Sequence, residues 1–212
     1  MIRKRSLVRR TVAVAASGVA ALVLAACGGD DGSSAAGHGG HDSVSASAAA
    51  SASVSQGRHN AADVAFAKGM IPHHRQAVEM ADLAPERAES PEVKKLAEDI
   101  KKAQDPEIET LSGWLTSWGE EVPAEGGMDH SVHGGMEGMM SAEEITGLEN
   151  ASGEAFDTAF MEMMIKHHEG AVEMARTEQA DGAHAPAKAM ADDIVTSQSA
   201  EIQQMNKLLG ND

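Results

Sequence analysis

From Asn60 onward, the buried-type positions of the chain recur at three- and four-residue steps. Asp63, Phe66, Met70, His73/His74, Ala77, Met80/Ala81 and Ala84 fall on one stripe, the signature of an amphipathic helix that closes near Pro85. Ser90, with Pro91 in the first turn, starts a second helix. Val93, Leu96, Ile100, Ile108, Leu111 and Leu115 form its apolar face, through Pro106 as a candidate kink, to about Trp118. A Gly-rich loop occupies residues 119–140. Ser141 to Glu144 then read as a capping box that opens a short helix, broken near Gly153. A third long helix spans about Glu154 to Gln179, Asp181–Pro186 turn the chain, and a fourth runs from about Ala187 to Leu209.

The pattern repeats itself at a constant offset of 94 residues. Asp63, Phe66 and Met70 match Asp157, Phe160 and Met164, and His73-His74 match His167-His168. The run Ala77 to Ala81 matches Ala171 to Ala175, and Gln104, Glu107 and Ile108 match Gln198, Glu201 and Ile202. Residues 63–111 and 157–205 share 19 identities in 49 positions, so each half is one helical hairpin. A hairpin cannot bury its stripe alone. The spacing therefore predicts an all-α four-helix bundle made of two repeated helical hairpins, 60–118 and 141–212. In an up-down-up-down arrangement the first and third helices run parallel and diagonal, with the His pairs facing across the core.

The N-terminus reads differently. Arg3, Lys4, Arg5, Arg9 and Arg10 precede an apolar run from Val12 to Ala26, too short and Ala-rich for a membrane span. The run ends Leu24-Ala25-Ala26-Cys27, which resembles the lipobox of bacterial lipoproteins. Residues 1–26 are thus expected to be a lipoprotein signal peptide. Cys27 is the expected lipidation site, and the chain is placed outside the cytoplasm on a lipid anchor. Residues 27–59 are Gly, Ser and Ala with few large apolar groups, a disordered tether in which His38 and His41 are incidental.

Composition narrows the chemistry. Without residues 1–26 the formal charge is 12 − 33 = −21, which argues against nucleic acid as a partner. Cys27 is the one cysteine, so disulfides and thiolate metal sites are excluded. Methionine is abundant, and a soft metal would have to use thioether and imidazole.

Met70 lies one turn from His73 and His74, so sulfur and imidazole can approach one ion. Met80 lies two turns beyond His73, about 10 Å along the axis, which requires ligands shared between helices. The candidate metal set is Met70, His73, His74, Met80, Met164, His167, His168 and Met174. Met128, His130, His133, Met136, Met139 and Met140, spaced by glycine in the loop, form an auxiliary candidate set. A di-iron bundle needs Glu-x-x-His, and none occurs; the matching positions are Met70, Ile71, Met164 and Ile165. A structural alternative is that the His pairs hydrogen-bond to Asp63, Asp157, Glu107 or Glu201 and lock the bundle.

The run Asp-x-x-Phe, Met-Ile-x-His-His, Ala-Val-x-Met-Ala, then Ala-x-x-Ile, Gln and Glu-Ile-x-x-Met resembles the family known as domain of unknown function 305. The chain carries the run twice, with Leu111 in the first copy where the second has Met205. The resemblance implies a ferritin-like bundle in an exported protein, with copper binding and copper tolerance in some members. Together these readings predict a protein that sequesters or hands over copper, Cu(I) or Cu(II), with silver as a second cargo. Oligomeric state is not legible. With no Tyr, no thiolate and no facial His/His/carboxylate motif, the chain is read as a non-enzyme. The alternatives are a non-metal structural or interaction bundle and, least supported, a metal oxidase.

Overall fold

A computed structural model of the protein describes residues 58–124 and 137–211. Residues 1–26, read above as a signal peptide, together with Cys27, His38, His41 and the loop residues Met128, His130, His133 and Met136, lie outside the described residues.

Among the described residues the structure is all-α, with four long helices and two short ones: α1 (Ala61–Asp82), α2 (Ala84–Arg87), α3 (Pro91–Trp118), α4 (Ala142–Asn150), α5 (Glu154–Asp181) and α6 (Ala185–Leu209). The caps follow from the local sequence. The Asn60 side chain accepts from the amides of Ala62 and Asp63, while Asp63 accepts from the Asn60 amide, a reciprocal box. Ser141 and Glu144 do the same for α4. Ser90 caps α3, which runs uninterrupted through Pro106 to Gly119 in the left-handed conformation (φ 76°). No described helix is long and apolar enough to cross a membrane.

α1 packs on α3, and α5 on α6, forming the two hairpins. Their arrangement differs from the expected diagonal. α1 packs directly on α5, and the two run antiparallel. The Asn60 side chain, at the start of α1, donates to the Asp181 carbonyl at the end of α5 (2.8 Å). Asp63 accepts from the Ala183 and His184 amides (3.1 and 2.8 Å), and Asp157, its repeat mate, accepts from the Glu89 and Ser90 amides (3.1 and 2.7 Å). Each hairpin thus clamps the turn of the other with one aspartate, and the hairpins are related by a pseudo-twofold axis. These two aspartates hold turns and do not reach the histidines. Burial alone would raise Asp63, but contacts from Glu178, His184, Asn60 and Ala183 hold it below 3.8.

Antiparallel crossing sorts the core into two apolar lobes. One contains Met80, Phe156, Phe160 and Met164; the other contains Phe66, Met70, Leu111 and Leu115, with the partly buried Met174 against it. The histidines lie between them.

Candidate metal centre

The four histidines are fully buried at the crossing of α1 and α5. His73 and His167 face each other across it, with ring centroids 3.7 Å apart and planes tilted by 38°. His74 and His168 turn outward within their own hairpins. His74 Nε2 lies 2.7 Å from Glu107 Oε2 and His168 Nε2 lies 2.7 Å from Glu201 Oε2. Adjacent positions on a helix differ by about 100°. That angle lets one imidazole of each pair meet the opposite hairpin while the other meets a carboxylate on its own.

This division sets the protonation chemistry. A carboxylate only accepts, so Nε2 of His74 and His168 donates to it, and in the neutral imidazole each Nδ1 presents a lone pair. Neither Nδ1 has a hydrogen-bond partner, and neither nitrogen of His73 or of His167 has one. Burial, then the nearby His74 and His168, hold His73 neutral, with its pKa pushed down to about 3; the neighbouring Glu137 carbonyl opposes this weakly. Burial first, and His73 next, place His167 well below its ordinary value. Six buried imidazole nitrogens are therefore unpartnered and two are hydrogen-bonded. A buried polar nitrogen left without a partner is destabilising, and a bound ion would relieve that cost.

The methionines do not gather at one point. Met70 and Met174 belong to one lobe, Met164 and Met80 to the other. The expected single region of four imidazoles and four thioethers is corrected to a histidine layer with a cross-hairpin Met pair on each side. Pairing a near Met of one repeat with the far Met of the other is what an antiparallel crossing requires. Among the described residues no three or more His, Asp or Glu side chains converge to hold an ion. Imidazole lone pairs lie in the ring plane, so an ion would bind at the ring edges after rotation about χ2, with thioether completing its set. A low-coordinate soft ion suits this donor set.

Of the auxiliary set, Met139 and Met140 are described and buried, 8% and 3% exposed. They end a strap that sequence reasoning missed. The Gln76 side chain, fully buried, donates to the Met140 carbonyl (2.9 Å) and accepts from the Met140 amide (2.8 Å). Beside it, Gly138 (φ 83°) lies against Gly170, where an added Cβ would stand 2.1 Å from the Glu137 carbonyl oxygen. The signal was present in the repeat. Gln76 and Gly170 are mates, and with the neighbouring Arg75 and Glu169 they interrupt an otherwise matched run from His73 to Ala81.

Comparison with known proteins gives the same architecture a family. The chain matches "Domain of unknown function (DUF305)" over residues 63–209. No curated protein sequence matches it. Among solved structures it is similar to a putative secreted DUF305 protein from Streptomyces coelicolor, at 33% identity over 71% of this chain and 93% of that one, TM-score 0.63. It is similar to a DUF305 fragment from Deinococcus radiodurans, at 31% identity over 72% and 97% of the two chains, TM-score 0.64. It is also similar to CopM solved in a Cu(II)-bound form, at 39% identity over 70% and 96%, TM-score 0.62. CopM has been solved in Cu(I)- and Ag-bound forms as well. The protein belongs to the DUF305 family.

Proposed function

We propose that this protein is an exported, lipid-anchored copper-binding protein that sequesters or hands over Cu(I) and Cu(II), and accepts Ag(I), without catalysing a reaction. The observation that carries this reading is the set of six unpartnered, fully buried imidazole nitrogens where two antiparallel helices cross. His73, His167 and the Nδ1 atoms of His74 and His168 are the imidazole donors. Met70, Met174, Met164 and Met80 are the thioether donors on either side. Glu107 and Glu201 orient the outer pair, as carboxylates behind metal-bound histidines do. The copper- and silver-bound forms of CopM support the choice of metal. Export and anchoring rest on the basic, apolar and Leu24-to-Cys27 segments of the sequence.

The His–Glu hydrogen bonds favour a second reading, a purely structural lock. It accounts for two of the eight imidazole nitrogens and leaves the other six as uncompensated cost, so it is the weaker. Titration of the protein with Cu(I) and Cu(II) tests the first reading. A variant with His73, His74, His167 and His168 all replaced by Ala should lose binding. Equal affinity in wild type and variant, with no rise in melting temperature on adding copper or silver, would establish the structural lock instead.

A further inference from the structure

The repeat supplies an internal control: a feature needed only to hold the bundle together should recur at both ends. At the end where α1 begins and α5 finishes, three positions depart from their mates together. Glu178 stands where the first repeat has Ala84, and Gly69 where the second has Met163. Met174 is partly exposed, whereas its mate Met80 is fully buried. The sulfur of Met174 lies 3.4 Å from where a Cβ on Gly69 would stand, against the α1 backbone and beside Met70. A cavity of about 180 Å³ opens here, lined by Ala62, Ala65, Phe66, Met174, Thr177 and Glu178. Glu178, 1% exposed, also lines it, its acid group buried beside Asp63. Packing does not demand it, because Ala84 fills the matching place at the other end.

We infer that this cavity is the entrance by which a soft monovalent cation, Cu(I) or Ag(I), reaches the histidine layer, with Met174 the first thioether to receive it. The inference rests on the copper-binding reading above. From Met174 the path leads to Met70 in the same apolar lobe, and Met70 is one helical turn from His73. At the opposite end a larger cavity, about 390 Å³, is lined by Met161 but by neither Met80 nor Met164.

Stopped-flow loading of the full chain with Ag(I), alongside equilibrium titration, tests the entrance. Ala65 is exposed, so Ala65→Leu should obstruct the mouth without disturbing the core. It should slow loading about tenfold, with affinity unchanged within about twofold. Thr177→Leu, exposed at the same mouth, should also slow loading, and it decides the matter if Ala65→Leu does not fold. Ala155→Leu, exposed at the start of α5, should load at the wild-type rate. Wild-type loading rates in both Ala65→Leu and Thr177→Leu, or equal slowing in Ala155→Leu, overturn the entrance and leave copper binding standing. A wild-type protein that takes up no ion removes the copper reading and the entrance with it.

Discussion

Gln76 and Gly170 occupy the same position in the two repeats, and they secure one strap from opposite sides. Gln76 grips the Met140 backbone through both atoms of its amide, and Gly170 leaves space for the Glu137 carbonyl. A side chain in either place that could not do its part would lift residues 137–140 off the histidine layer.

Replacing Gln76 by Ala strands the Met140 amide and carbonyl, and should destabilise the protein by about 1–3 kcal/mol. Gly170→Ala should cost a similar amount, about 1–3 kcal/mol, because its Cβ collides with backbone. Gly113 is the contrast: it lies exposed within α3 with nothing within 4 Å of an added Cβ. Gly113→Ala should stabilise by about 0.5–1 kcal/mol. Denaturant unfolding of the three variants checks the set, and a neutral Gly170→Ala would remove the strap from the account.

Glu107 and Glu201 each hold one outer histidine through Nε2. Glu107→Gln can still accept through its amide oxygen but carries no charge, so it should weaken copper binding at the low end of about 10–100-fold. Glu107→Ala should reach the high end. Competition titration reads this, and Glu201 variants should behave alike because the second hairpin repeats the geometry.

The buried histidines make the metal-free fold sensitive to acid. His73 is depressed from 6.5 to about 3, mainly by burial, so its contribution is present in full above 6.5 and is lost as pH falls toward about 3. Melting temperature should drop across that window, and His73→Asn should flatten the profile. An unchanged slope in the variant would show that other groups drive acid unfolding.

Glu178 acts in the opposite direction. Burial, then the neighbouring Asp63, push its pKa from 4.5 up to about 8, while Lys188 pulls weakly the other way. Its contribution is present in full below 4.5 and is lost as pH rises through about 8. Glu178→Gln should therefore melt higher than wild type at pH above about 8, and the two should converge in acid. A constant difference at every pH would contradict the shift.

What the sequence by itself determined was the local and the repeated. Apolar stripes at helical spacing specified the long helices, because burial follows the period of the side chains. Ser90 with Pro91 marked the start of one long helix, and the Ser141 capping box marked the start of a short one. The 94-residue offset identified two hairpins and singled out both His pairs and their flanking methionines. That offset says the halves are alike, but not by which symmetry they meet. A parallel diagonal and an antiparallel crossing bury the same stripes, so the pattern cannot choose between them. The tertiary structure chose the antiparallel crossing, through Asp63 and Asp157, each capping the turn of the other hairpin. With direction settled, Met70 falls with Met174 and Met80 with Met164, and His73 meets His167 across the crossing. The strap and the Met174 cavity likewise depend on positions where the repeat breaks. Their meaning becomes visible only once the chain brings Glu137 against Gly170 and Met174 against Gly69.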